Sequence, residues 1–150
     1  MPVFTSTQFV KTDIEKCWSF FSDPSNLSVI TPSEMNFRIL FPKPMPEMYP
    51  GMIIQYKVSP LLNIPMEWIT EISHVSKPHY FVDLQLKGPY NLWHHQHLFE
   101  EVEGGVKMTD IVTYQLPLGG LGEFLAGWFV HKKVAAIFEY RSKVIDSAFG

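Results

Sequence analysis

Cysteine is almost missing: the 150 residues carry one, Cys17, so no internal disulfide can form and the chain suits a reducing, cytoplasmic compartment. Charge is sparse too, at 18% of residues, and 12 Lys+Arg against 15 Asp+Glu leave a formal −3 without a run of either sign. A nucleic-acid binder needs a Lys/Arg-rich face to displace counterions from phosphates, and none is present. No stretch approaches the roughly 18 uncharged apolar residues of a membrane span. Met1–Val10 lacks the basic and apolar regions of a secretion signal. Internal repeats and low-complexity tracts are absent as well, so we place no boundary and expect one domain over residues 1–150. With 46% hydrophobic residues, a chain of this length buries roughly 68–70% of its unfolded surface, which excludes disorder.

Aromatics are plentiful. Phe 12, Tyr 6 and Trp 4 make up 15% of the chain, beside 7 Met; such side chains fill cores, and they also line cavities for apolar ligands. Val3–Lys11 has the β-branched and aromatic content of a strand. Thr12 or Asp13 then offers an N-cap to a helix whose Ile14, Cys17, Trp18 and Phe21 fall on one face. Asp23-Pro24-Ser25 breaks it, a short helix follows through Asn26–Ile30, and Thr31-Pro32 ends that one. Strands are expected at Asn36–Phe41, Met52–Ser59, Met66–Ser76, Tyr80–Lys87, Trp93–Glu103 and Val106–Leu116, with a stiff Pro42–Gly51 loop between the first two. Gly122–Phe149 contains no proline and predicts a long terminal helix. The economical packing is α+β: a curved antiparallel sheet of about seven strands, ordered β-α-α-β5/6-α, closed by the long helix. Incomplete filling between them leaves a cavity.

Gly104-Gly105 between two alternating runs is a hairpin signal. A turn on those two glycines pairs Glu103 with Val106, sets Phe99 opposite Asp110 and His97 opposite Val112, and sends Trp93, His95, His97, Phe99, Met108, Asp110, Val112 and Tyr114 to one face. We take that face as inward, since the other carries more polar residues. The facing of Asp83 and Gln85 stays open, because the Gly88–Asn91 turn permits either parity. Buried His95, His97 and Asp110 need partners: one another, water, a ligand, or a cation. Projected at about 100° per residue, the long helix offers Val130, Val134, Ile137, Phe138, Arg141, Val144 and Ile145 on one face. Its one charge, Arg141, is a planar fork that suits Asp110, Glu67 or a ligand carboxylate. Leu121, Phe124, Leu125 and Trp128 lie on the opposite side after the flexible Gly119-Gly120-Leu121-Gly122. A homodimer contact, a cavity lid and packing under the Pro42–Pro50 loop are three open roles for them.

Other chemical signatures fail. His94-His95-Gln96-His97 with Asp110 has the spacing of a metal site, but His94 points the other way, no cysteine joins, and zinc sites usually need three protein ligands. We expect no metal and no cofactor. There is no G-x-S-x-G, and Cys17 sits on an apolar helix face where thiols are inert. The glycines before the last helix lack the Lys and Ser/Thr of a phosphate cradle. Acid–base chemistry by His95, His97 or Asp110 stays open, because a sheltered His–Asp pair can be tuned near neutral pH.

Phe21-Ser22-Asp23-Pro24-Ser25-Asn26-Leu27 with Thr31-Pro32, Gly88-Pro89-Tyr90, Trp93-x-His95-x-His97-x-Phe99, Met108-x-Asp110-x-Val112-x-Tyr114 and Ile137-Phe138-x-Tyr140-Arg141 together resemble the SRPBCC superfamily. These are START-related helix-grip domains, and the likeness falls in the polyketide cyclase/dehydrase-like branch. The resemblance spans essentially the whole chain. It implies a seven-stranded sheet gripping the C-terminal helix around an apolar cavity for a small hydrophobic molecule of lipid, polyketide or aromatic type. It does not imply catalysis, since fold alone does not choose between carrier and enzyme. The expected binding set is the inward face named above with Val134, Phe138 and Arg141. Two alternatives remain: a cyclase, dehydratase or isomerase using His95, His97 and Asp110, and an interaction module docking through the start of the long helix.

Overall fold

The computed structural model describes residues 1–60 and 63–150. Its elements run β1 (Val3–Val10), α1 (Ile14–Phe21), α2 (Leu27–Ile30), β2 (Arg38–Phe41), β3 (Met52–Val58), β4 (Met66–Ser76), β5 (Tyr80–Lys87), β6 (Leu92–Val102), β7 (Gly105–Gln115) and α3 (Gly119–Phe149). Short 3-10 turns at Pro24–Asn26 and Ser33–Met35 flank α2. All seven strands form one antiparallel sheet in the order β1-β7-β6-β5-β4-β3-β2. Register shifts at Leu40 of β2, at Ser73 of β4 and at Leu86 of β5 bend the sheet, because an unpaired extra residue kinks its strand. The curved sheet wrapping a 31-residue terminal helix is an α+β helix-grip fold.

Local chemistry accounts for the elements that shape the interior. Asp13 caps α1 by accepting from the Lys16 N–H at 2.8 Å, satisfying a donor that the first helical turn leaves free. The 3.6-residue period then turns Cys17, Trp18 and Phe21 onto the sheet, where they join Phe81, Phe99, Met108 and Ile145 in a buried core. On α3, Val130, Val134, Phe138, Arg141 and Ile145 are buried as the helical projection predicts. Gln8 of β1 anchors the far end of α3, donating to Ser142 O at 2.9 Å and Asp146 Oδ1 at 3.0 Å.

The β6–β7 hairpin departs from expectation. Val102 pairs with Gly105, so the two-residue turn is Glu103-Gly104 and the register sits two residues from the expected one. Gly104 supplies the positive φ, +83°. Gly105 serves another purpose: a Cβ there would lie 2.5 Å from the Val10 carbonyl oxygen, where β1 comes alongside. A slip of two preserves which face every side chain occupies, but it brings Asp110 directly opposite His97 and Val112 opposite His95.

The start of α3 narrows the three open roles. Leu121, Phe124, Leu125 and Trp128 are exposed, Phe124 at 84% and Trp128 at 76%. They do not pack under the Pro42–Pro50 loop, and they are not part of the cavity wall. No helix among the described residues is long and apolar enough to cross a membrane.

Candidate functional site

Between the sheet and the helices lies a hollow of about 180 Å³. The sheet contributes Tyr56 and Ile54 of β3, Trp68 and Thr70 of β4, and Trp93 of β6, while Tyr90 enters from the β5–β6 turn. Val134, Ile137, Phe138 and Arg141 face it from α3, and Leu27, Ile30 and Thr31 from α2 and its end. The aromatic wall holds itself upright by edge contacts. Trp68 meets Trp93 at 5.5 Å and 88° and Tyr90 at 5.8 Å and 63°, arrangements that favour ring edges over facing quadrupoles. Gln85 fixes the Tyr90 turn from below, donating to Tyr90 O at 2.6 Å and accepting from Tyr90 N–H at 3.2 Å. The buried indole N–H of Trp68 has no hydrogen-bond partner among the described residues.

One patch of this wall is polar. Asp83 of β5 stands opposite His95 of β6, and His97 stands opposite Asp110 of β7. Hydrogen bonds run along the diagonals instead, within reach of cross-strand neighbours two positions apart. His97 Nε2 bonds Asp83 Oδ2 at 2.5 Å, and His95 Nε2 bonds Asp110 Oδ1 at 2.8 Å. The two imidazoles stack, with centroids 3.6 Å apart and planes 23° apart. Behind them Arg141 Nη1 sits 3.4 Å from Asp110 Oδ1, and its guanidinium lies over the rings of Phe21 and Phe138 at 5.4 and 5.3 Å. Glu67, another candidate for Arg141, is engaged elsewhere: Lys87 Nζ and Gln55 Nε2 hold it at 2.7 and 2.6 Å.

The electrostatics follow from burial set against partners. Burial resists ionisation of Asp110, but Arg141 and the hydrogen bond from His95 outweigh it and hold the carboxyl well below its ordinary range. Asp83 also stays below its usual value, since His95 and His97 together outweigh its own burial. His97 moves the other way. Burial and the neighbouring His95 lower it to about 4, so it is a neutral imidazole at physiological pH. Burial alone dominates at Cys17, whose thiol is pushed up to about 12.

Of the side chains expected to line a cavity, Trp93, His95, His97, Val134, Phe138 and Arg141 do. Five do not. Phe99 and Met108 are consumed in the buried core beneath α1; Val112 and Tyr114 pack against Val130, Val134 and Phe138; and Asp110 stands behind the histidines. Tyr114 directs its hydroxyl to His131 Nδ1 at 3.0 Å. Sequence reasoning missed Asp83 as a site residue, along with Tyr56, Trp68 and Tyr90. The period-2 signal for Asp83 was masked because the apolar alternation of β5 points the wrong way: Leu84 and Leu86 share the outer face, Leu86 at 53% exposure, while Asp83 and Gln85 turn inward.

No family model matches the chain, and no curated protein does either. Solved structures do. A protein from Arthrobacter aurescens superposes with a TM-score of 0.72 at 14% identity, over 97% of this chain and 86% of that one. The protein Ms6760 from Mycobacterium smegmatis gives 0.68 at 18% identity, over 97% and 92%. Ara h 8.0201 gives 0.62 at 13% identity, over 97% and 98%. At such identities the likeness is one of architecture, and it places the chain among proteins of the helix-grip fold.

Proposed function

We propose that the protein binds a small hydrophobic molecule in the hollow between its sheet and α3. One observation carries this reading: an apolar, aromatic-walled space of about 180 Å³ that opens beside a few polar groups. Engineered apolar cavities of about 150 Å³ already accept benzene, so the space suits a compact ring system or one end of a chain. Trp93, Tyr56, Trp68 and Phe138 enclose the apolar body, and His95, His97 and Arg141 orient a polar end. The SRPBCC likeness of the sequence motifs, in the polyketide cyclase/dehydrase-like branch, agrees with a ligand of lipid, polyketide or aromatic type.

Titration with the fluorophore 1-aminoanthracene tests the proposal. Saturable enhancement is expected with wild-type protein, and Ile137→Trp, which fills the space from α3, should abolish it while leaving the fold intact. Native mass spectrometry of freshly purified protein should show a co-purifying apolar species. Enhancement unchanged by Ile137→Trp would remove the hollow from consideration.

The His97–Asp83 hydrogen bond at the cavity wall favours a second reading, acid–base catalysis of cyclase, dehydratase or isomerase type. It requires turnover that His97→Ala or Asp110→Asn eliminates in folded protein.

A further inference from the structure

We infer that Asp83, His95 and His97 form a binding site for one divalent transition-metal ion, of the Zn²⁺, Co²⁺ or Fe²⁺ kind, at the wall of the hollow. A carboxylate oxygen and two imidazole nitrogens, one donor atom from each residue, all lie within 4.8 Å of one another. Two imidazoles and a carboxylate are a donor set that such ions accept, leaving further coordination positions open.

Hydrogen placement gives the stronger reason. Asp110 is an acceptor, so the proton of a neutral His95 belongs on Nε2, 2.8 Å away. His95 Nδ1 is then a bare lone pair, and it faces another acceptor, Asp83 Oδ2, at 3.7 Å. The same problem recurs at His97. Its Nε2 bonds Asp83, while its Nδ1 is buried without a hydrogen-bond partner among the described residues, 3.5 Å from Asp110 Oδ1. Two lone pairs therefore oppose two carboxylates across this cluster, a costly arrangement in a buried place.

A proton added at either Nδ1 satisfies the carboxylate it faces and leaves the other lone pair as before. A cation among His95 Nδ1, His97 Nε2 and Asp83 resolves the pair together, because the His97 proton then resides on Nδ1 and points at Asp110. Asp110 becomes the outer partner of both ligating imidazoles, the arrangement that fixes tautomer and ring orientation at metal centres. Charge agrees with this. With both imidazoles in the neutral form that ligates metals, two carboxylates oppose the single guanidinium of Arg141, and the net negative charge favours a dication over an anionic group. Binding requires the stacked rings to tilt so that their lone pairs converge, and His95 and His97 both border the open hollow into which they can move.

The test is titration of tag-free protein, stripped with a chelator, with CoCl₂ and then ZnCl₂. One equivalent of Co²⁺ should bind with a visible d–d absorption band that Zn²⁺ quenches by displacement. Asp83→Asn and His97→Gln, which keep side-chain size, should lose the band. Asp110→Asn should weaken binding about 10–100-fold, as outer-partner changes do, and His94→Ala, on the opposite face, should leave it unchanged. In wild-type protein, ¹⁵N spectra of the imidazoles should show His95 and His97 shifting on Zn²⁺ addition. Absence of a band at millimolar Co²⁺, a band that survives both ligand variants, or histidine signals indifferent to Zn²⁺ would each overturn the inference. Uptake of 1-aminoanthracene is read on the metal-free protein, so failure of metal binding and failure of apolar-ligand binding are distinguished.

Discussion

The two ends of the sheet's concave face are equally aromatic and differently filled. Under α1, Trp18 meets Phe81 and Phe99 edge-on at 5.8 and 5.7 Å, Phe21 tilts against Phe99, and Val10, Cys17, Val106 and Met108 are buried beside them, so only the Phe21 and Phe81 side of the cluster borders the hollow. At the other end Tyr56, Trp68, Tyr90 and Trp93 are just as near one another, yet they surround a hollow. The difference lies in what stands opposite. Helix α1 delivers Cys17, Trp18 and Phe21 straight into the first cluster, whereas the second meets chiefly the aliphatic side of α3 and the short α2. Aromatic content therefore does not decide whether an interior is packed; the second layer does.

Truncation separates the two ends most sharply. Phe99→Ala should cost about 3–5 kcal/mol in urea denaturation, the range for a large aromatic in a tight core. Trp93→Ala, at the half-buried wall of the hollow, should cost well below that and should reduce uptake of apolar ligand. Equal losses would mean that the second end is packed as tightly as the first.

The polar cluster lies where the two ends meet, and it supplies the next largest effect. Asp110→Asn should cost about 3 kcal/mol, because Arg141 is left buried without its counter-charge. Pairing it with Arg141→Met should recover part of that loss, since removing both partners of a buried ion pair is cheaper than removing one. An Asp110→Asn protein as stable as wild type would show that Arg141 reaches solvent or another acceptor.

How much of this was legible in the sequence depended on whether one signal or two were needed. Element order, the buried stripe Val130–Ile145 of α3 and the inward parity of β6 and β7 each followed from a single periodicity. The partner of His97 did not. It required the exact turn, and Glu103-Gly104 displaced the expected Gly104-Gly105 because Gly105 is occupied with admitting β1 rather than with turning the chain. Asp83 required the parity of β5, where the apolar Leu84 and Leu86 face outward and mislead. The hollow needed a quantity that no strand pattern carries, namely how far α1 and α3 each reach across the sheet.

Thiol chemistry sharpens the contrast without disturbing the fold. Cys17 is fully buried, with its thiol pushed up to about 12 mainly by burial. Iodoacetamide should leave it unlabelled in native protein and modify it in urea, since the thiolate is the reactive species. A second cysteine at the hollow's rim, Thr31→Cys, should be labelled in the folded state. Native labelling confined to the rim, read by intact mass, fits one closed end and one open end; labelling of Cys17 at a comparable rate would erase the distinction.

The smallest effect belongs to α3, which repeats the contrast along its own length. Its C-terminal half is held in the core through Val134, Phe138 and Ile145, whereas Leu121, Phe124, Leu125 and Trp128 are exposed, with Lys132 Nζ 5.1 Å above the Trp128 ring. Trp128→Ser removes a large apolar surface that covers nothing in the isolated chain, so the urea midpoint should move by no more than about 0.5 kcal/mol equivalent. The change should instead appear in solubility, because exposed apolar patches drive association. A stability loss above about 1 kcal/mol, growing with protein concentration, would mean that a second copy covers this half in solution and that both halves of α3 bury their apolar faces, one within the chain and one between chains.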